Sequence, residues 1–267
     1  MTRTALVTGA SSGFGAALTR AFARAGWNVA ATMRKPSQAP PDFASLPAVE
    51  VVRLDVTEPE SIVTALDAVH ARFGPVDVLA NVAGYAQRGS LEEMTLDQIR
   101  AQFETNLFGA LALTKAVLPQ MRERAIGHIL NFSSVAGTAA VPTMAAYSSS
   151  KFALEGFSES LAQDVRHLGI NVTIVQPASY KTEFGAGMSG PAHPLPDEYG
   201  PAQALLFAND YKFGDLDASC DAVVSIATMD NPPLRLALGH GLHLLRGKLT
   251  AQWAEYERWE QVTATTL

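Results

Sequence analysis

Tyr147 and Lys151 stand four residues apart in the segment AAYSSSKFALEGFSESL, where Phe152, Leu154, Phe157 and Leu161 recur at helical spacing. Residues at i and i+4 share a helix face, so a phenol and an ammonium at these positions can lie side by side. A free tyrosine titrates near pH ~10 and is a poor proton-transfer group at neutrality. A cation within a few ångströms favours the phenolate and draws that value toward the working pH. Ser134 lies thirteen residues before Tyr147, just past the apolar run HILNF. A hydroxyl at the end of a buried strand can reach a neighbouring helix and hydrogen-bond a substrate oxygen. A proton donor, its tuner and an oxygen ligand are thus available. The same spacing also describes a buried tyrosine beside a surface lysine, so the surrounding elements have to decide.

Those elements alternate. Thr4–Thr8 reads as a strand, followed by a glycine loop and a helix over Gly13–Ala25. Trp27–Met33, Val49–Leu54 and Val76–Leu79 read as further strands, with a helix seeded by Thr57 and Pro59 between the last two. Thr95 reads as the cap of one long helix reaching about Glu123, before a strand His128–Phe132, a helix Ala146–Leu168 and a strand Asn171–Gln176. Strands that are apolar throughout, separated by helices, predict a parallel sheet covered on both faces. With right-handed crossovers the expected fold is α/β, a doubly wound Rossmann-type sheet of about seven strands, its site at the carboxyl ends of the strands.

The chain has 267 residues, 48% of them hydrophobic and 17% charged, enough to bury a large core as one domain over 1–267. A net charge of −6 without a basic cluster argues against nucleic acid. The single Cys220 excludes an internal disulfide and fits a reducing compartment. No run of eighteen apolar residues and no signal-peptide core is present, so no membrane partner and a cytoplasmic protein are expected.

The loop Thr8-Gly9-Ala10-Ser11-Ser12-Gly13-Phe14-Gly15 lies between the first strand and the first helix. Glycines there let the backbone approach a pyrophosphate, and the helix N-terminus offers N–H groups and a positive dipole end. The spacing is G-x-x-x-G-x-G, neither the generic dinucleotide fingerprint nor a P-loop, and three glycines could also serve a plain strand-to-helix bend. Taken together, the motifs resemble the short-chain dehydrogenase/reductase family. TGASSGFG resembles its T-G-x-x-x-G-x-G loop, and Asn81-Val82-Ala83-Gly84 its N-N-A-G motif with Val82 in place of the second Asn. Asn106, Ser134, Tyr147 and Lys151 match its catalytic tetrad, and Pro177 to Thr182 its P-G-x-x-x-T segment with Ala178 in place of Gly. The likeness runs from Thr2 to about Phe184 and returns at Pro233–Gly239, which resembles the last strand and its approach.

The resemblance implies roles. Tyr147 would be the acid in carbonyl reduction and the base in alcohol oxidation. Lys151 would lower its pKa and hold the nicotinamide ribose, Ser134 the substrate oxygen, and Asn106 a relay water. Gly9, Ser11, Ser12, Gly13, Phe14 and Gly15 would line the pyrophosphate and nearby ribose. Asn81, Ala83 and Gly84 would pass the adenosine-side ribose, Asp55 and Val56 the adenine, and Pro177 and Thr182 the carboxamide. Residues 185–216 would form a substrate lid that does not read as regular structure throughout, with a strand and helix from about 233. Tyr85, Val141, Met144, Phe184 and Met188 would make a largely apolar pocket for a ketone, aldehyde or secondary alcohol. At the end of the second strand no acidic residue lies between Trp27 and Gln38, while Arg34 and Lys35 offer cations to a 2′-phosphate. NADP(H) is therefore expected in preference to NAD(H), although two surface cations on a loop would read the same way.

Other patterns carry less. The six histidines show no metal-ligand spacing, and His240 and His243 lack a third ligand, so no metal is expected. Glu92-Glu93 read as a solvated face, and Ser133-Ser134 are not in a nucleophile elbow. Trp253, Tyr256 and Trp259 form a helically spaced stripe that reads as core cover or subunit contact. The helices Leu96–Glu123 and Ala146–Leu168 are apolar on more than one face, which predicts a homo-oligomer, a tetramer or dimer. A dinucleotide-binding regulatory protein of the same fold, turning nothing over, is the alternative from a different class.

Overall fold

The computed structural model describes residues 2–186, 188, 190, 192–194, 196–207 and 212–264. Seven strands form one parallel sheet: β1 (Thr4–Val7), β2 (Asn28–Met33), β3 (Val49–Arg53), β4 (Val78–Asn81), β5 (Gly127–Phe132), β6 (Ile170–Pro177) and β7 (Arg235–Leu238). Their order is β3-β2-β1-β4-β5-β6-β7. The chain therefore runs outward from β1 through β2 to β3, returns, and continues outward from β4 on the other side. The strand order reverses between β1 and β4, where a doubly wound sheet opens its crevice at the carboxyl ends.

The inner strands are buried on both faces, every residue of β1, β4 and β5 among them, while the edge strands β3 and β7 are partly exposed. Two apolar layers cover the sheet. On one side α1 (Gly13–Arg24) and α8 (Leu216–Ile226) pack Leu18, Phe22, Cys220 and Val223 against the strands. On the other, α2 (Pro59–Phe73), α4 (Gly109–Arg124) and α5 (Ala145–Val165) contribute Ile62, Leu66, Val117, Met121, Leu161 and Val165. Cys220 is buried, and burial pushes its thiol up to about 12, which leaves it an apolar filler.

The expected elements all form, with ends moved by up to three residues, and three expectations change. First, the single helix from Thr95 to about Glu123 is α3 (Leu96–Phe103), a π turn over Glu104–Phe108, and α4. Thr95 does cap it, in a capping box with Gln98. Second, the segment 185–216 is more regular than its glycines and prolines suggest. It holds the end of α6 (Glu183–Ala186) and all of α7 (Gly200–Phe207), and its last residue opens α8, capped by Asp215. Third, the aromatic stripe does not cover the core. It lies on and just past α9 (Gly241–Arg258), with Trp253 65%, Tyr256 61% and Trp259 57% exposed. A short helix α10 (Glu260–Ala264) follows.

Candidate active site

The glycine loop is a close-packed crossing. Gly9 has φ +66°, and a Cβ there would press on the Ala83 backbone at 3.0 Å. A Cβ on Gly15 would sit against the Gly9 carbonyl closer than real Cβ atoms come, so this position admits only glycine. Gly13, with φ +50°, faces the Thr182 side chain. Ser12 is the N-cap of α1 but makes no side-chain cap bond, and the first turn carries no acidic residue. The helix thus presents backbone N–H groups and a positive dipole end beside Ser11 and Ser12. Phe14 packs its ring on Phe132 (5.6 Å) and Tyr180 (4.7 Å), so its side chain anchors the loop from beneath.

Two residues that the motif reading passed over hold this crossing. Thr8 Oγ1 accepts from the N–H groups of Val82 and Ala83, each at 2.9 Å, tying the loop after β1 to the loop after β4. Tyr180 bonds Ser219 at 2.8 Å, and Gly214 and Gly239 close on its ring and hydroxyl, which clamps the Pro177–Thr182 segment to α8. Thr8 sits inside the quoted motif, so its role could have been suspected; nothing local marks Tyr180.

At the other end of the crevice the tetrad residues converge. Tyr147 and Lys151 are both buried on α5, with the ammonium 5.9 Å from the phenol ring centroid. Ser134 follows β5; its hydroxyl accepts from the Ala136 N–H at 3.1 Å and hydrogen-bonds Tyr147. Asn106 sits in the π turn, 1% exposed. Its side chain accepts from the Tyr85 N–H and donates to the Tyr85 carbonyl, both at 3.0 Å, and donates to Ser150 at 3.2 Å. Gly84 lies between the two groups: a Cβ there would come within 3.0 Å of Asn106 Oδ1 and 3.6 Å of Lys151 Nζ.

The electrostatics differ from the simple expectation. Burial pushes the Tyr147 phenol up to about 12, and the Ser134 hydrogen bond works against that rise. The Lys151 ammonium donates to the Phe132 carbonyl at 2.7 Å. Burial also pushes Lys151 down to about 8, opposed by the Glu155 carboxylate one turn along α5. Glu155 is itself buried, accepting from Gln176 at 2.8 Å and pairing with Arg235 at 3.3 Å.

Val141, Met144 and Met188 join Ala86, Ala136 and Tyr147 in one small apolar cluster, and the Phe184 ring stands 5.8 Å from the Tyr147 ring. Tyr85 lies outside that cluster, held through its backbone by Asn106 and Gln102. Described residues of the 185–216 segment are strapped over this end. Gln87 donates to the Gly190 carbonyl, Ala192 and His193 donate to the Glu93 carbonyl, and Tyr199 donates to Glu92 at 2.6 Å. Residues 187, 189, 191, 195 and 208–211 of the expected lid lie outside the described residues. Glu93 is not the solvated charge expected: it is 4% exposed, its carboxylate taking the Ser90 N–H.

Several expected contacts point elsewhere. The Asn81 amide donates to Thr114 (3.1 Å) and Asn131 (2.8 Å) inside the core, so only its backbone borders the crevice. The Val56 side chain packs in the core against Gly109, and the Asp55 carboxylate is taken by the Thr57 N–H and hydroxyl. Arg34 and Lys35 are exposed at the end of β2, and neither has an ion-pair partner among the described residues. Pro177 ends β6 beside Leu238. His240 serves as the N-cap residue of α9, and among the described residues no group of three His, Cys, Asp or Glu is placed to hold a metal. No helix among them is long and apolar enough to cross a membrane.

The residues present fit a dinucleotide: a glycine cradle that a Cβ would fill, an uncapped helix N-terminus for the pyrophosphate, and exposed cations where an adenosine ribose would lie. A profile of the short chain dehydrogenase family matches residues 3–190. The chain is 34% identical to a 3-ketodihydrosphingosine reductase of Bacteroides thetaiotaomicron, over 91% of this chain and 90% of that one. Its structure superposes on a short-chain dehydrogenase from Streptomyces avermitilis with a TM-score of 0.91 and 39% identity, covering 100% and 99% of the two chains. A gluconate 5-dehydrogenase from Burkholderia cenocepacia, solved with NADP and tartrate, superposes with a TM-score of 0.77 at 28% identity, covering 90% of this chain and 95% of that one.

Proposed function

The chain belongs to the short chain dehydrogenase family, and from that premise we propose that it is an NADP(H)-preferring oxidoreductase interconverting a carbonyl and an alcohol on a largely apolar substrate. The observation that carries this reading is the meeting of Ser134, Tyr147 and Lys151 beside Gly84, at the carboxyl end of β5. When bound, the nicotinamide supplies or accepts the hydride.

The chain's own residues supply position and a proton. Tyr147, neutral at pH 7 with its phenol held high by burial, donates its proton to the substrate oxygen as a carbonyl is reduced. Ser134 donates a second hydrogen bond to the same oxygen, so the developing negative charge meets preplaced donors rather than water that must reorganise. In alcohol oxidation the phenolate form of Tyr147 would take the alcohol's proton and become the phenol. Lys151 holds the nicotinamide ribose and, as the ammonium, stabilises the phenolate left by proton transfer. Asn106, its amide fixed by the Tyr85 backbone and Ser150, keeps its carbonyl oxygen beside the Gly84 gap through which Lys151 would be reprotonated. The loop from Gly9 to Gly15 and the α1 N-terminus bind the pyrophosphate, and Thr182 and Pro177 border the carboxamide.

The substrate side is apolar. The cluster of Ala86, Val141, Met144 and Met188 against Tyr147 supports an aliphatic or alicyclic ketone, as does the likeness to a 3-ketodihydrosphingosine reductase. For the cofactor, Arg34 gives the 2′-phosphate a planar fork of donors. Exposed Phe108 and Phe152, on the π turn and α5, support assembly into a homo-oligomer through these helices. The single domain works in a reducing, cytoplasmic setting. The test is to follow reduced-nicotinamide absorbance against a panel of apolar ketones and secondary alcohols with NADPH and NADH. Turnover with NADPH supports the reading. Tight dinucleotide binding with no turnover across the panel would favour a regulatory protein of the same fold.

A further inference from the structure

We propose that α9 pairs antiparallel with α9 of a second copy of this chain, across a two-fold axis passing between Ala251 and Gln252. The proposal is independent of the hydride-transfer reading and adds an interface separate from α4 and α5. It begins from an apolar seam that is anchored at one residue, Leu245, and otherwise exposed, Leu242 at 62% included. Leu242, Leu245, Leu249, Trp253 and Tyr256 fall within an arc of about 80° on the helix. At the first turn this seam is seated: Gly241 and Leu245 are buried, and Gly241 abuts Val135. Beyond it, the same seam meets solvent, with Leu249 51%, Trp253 65% and Tyr256 61% exposed. Trp253 and Tyr256 are already ordered against each other, their rings 6.5 Å apart and near perpendicular.

Charge selects the occupant. Between Gly241 and Ala254 the formal charges are Arg246 and Lys248, both positive, whereas the last turn holds Glu255 and Glu257, with Arg258 on the face opposite the seam. Reversal about the midpoint sets Arg246 opposite the partner subunit's Glu257 and Lys248 opposite the partner subunit's Glu255. Both pairings share the same two-fold centre. Antiparallel packing also requires that paired residues lie on the same flank of the seam, and they do: Arg246 and Glu257 border one side, Lys248 and Glu255 the other. Within a single helix Arg246 and Glu257 stand about 16 Å apart, so neither can satisfy the other alone. A parallel pair would set like charge on like. An anionic lipid surface, which draws helices with a basic polar face, would be repelled by the acidic last turns. A two-fold contact of one patch with itself is also the commonest closed assembly.

Sedimentation of the full chain at micromolar concentration tests this, with circular dichroism confirming that each variant is folded. The parent should sediment as an assembly of even subunit number. Leu249→Ser with Trp253→Ser should halve its mass, and so should Arg246→Glu with Lys248→Glu. Adding Glu255→Lys and Glu257→Lys to that charge-reversed variant should restore the parent mass. A monomeric parent, a mass unchanged by both double variants, or a fourfold reversal that stays at half mass would each overturn the proposal. So would co-sedimentation of the parent with phosphatidylcholine or phosphatidylserine vesicles that is lost with Trp253→Ser, since that would make the occupant a lipid surface.

Discussion

At the scale of single residues, the site is a set of side chains whose charge states are set by burial. Arg34 is the clearest exception, an exposed cation with no ion-pair partner among the described residues, placed to meet a phosphate. Arg34→Ala should weaken NADPH binding by about 1.5–3 kcal/mol, roughly tenfold to a hundredfold, and leave NADH nearly unchanged. Titrating both cofactors into both proteins checks it; equal losses would mean that Arg34 does not read the phosphate. Gly15→Ala should be worse for both cofactors, since its Cβ would drive into the Gly9 carbonyl and deform the cradle. A loss of at least about tenfold for NADPH and NADH alike is expected, with a melting point lowered by an overpacking cost of about 1–3 kcal/mol. The tetrad and this glycine were legible in the sequence because their residue types are few and their order fixed. Asn81 and Val56 can meet a dinucleotide only through their backbones. Neighbours along an extended chain face opposite ways, and a motif does not say which side chain turns inward; here those of both residues join the core.

At the scale of elements, the sheet strands and most helices follow directly from apolar runs and caps, down to the capping box at Thr95. The π turn over Glu104–Phe108 does not, because one extra residue in a helical turn leaves the apolar periodicity almost unchanged. Its consequence is local and functional: it carries Asn106, whose amide grips Tyr85 on the loop after β4. Another element-level feature is His128 on β5, 4% exposed and bonded to Thr173 on β6 at 2.9 Å. Burial pushes its pKa down to about 4, below the ordinary 6.5. The unfolded chain therefore binds the proton more readily, so this histidine's contribution is complete above about pH 6.5 and is lost as pH falls toward 4. At pH 5 the parent should have lost on the order of 2 kcal/mol from this source. His128→Gln, which can still bond Thr173, should flatten that part of the pH profile in denaturant titrations. An unchanged slope would place the acid sensitivity elsewhere.

At the scale of the whole molecule, the reversal of strand order between β1 and β4 puts the glycine loop and the loop after β4 in one crevice, with the β5–α5 residues at its inner end. The doubly wound sheet was legible from alternating strands and helices, but the order of its strands was not, since apolar runs fix that strands exist and not which neighbours they choose. The C-terminal stripe was left open between core cover and subunit contact for a related reason: an apolar stripe says that something should cover it, not whether the cover is the same chain. The central claim is that Tyr147 is the proton donor in hydride transfer to an apolar carbonyl. Tyr147→Phe keeps the ring that packs on Phe184 and removes only the hydroxyl. The decisive measurement is the reduction rate of parent and variant on the best ketone found, alongside NADPH affinity for each. Affinity should stay within about threefold while the rate falls by about a hundredfold or more. A variant that reduces the ketone within about threefold of the parent rate, a change of less than 1 kcal/mol in the barrier, would contradict the assignment.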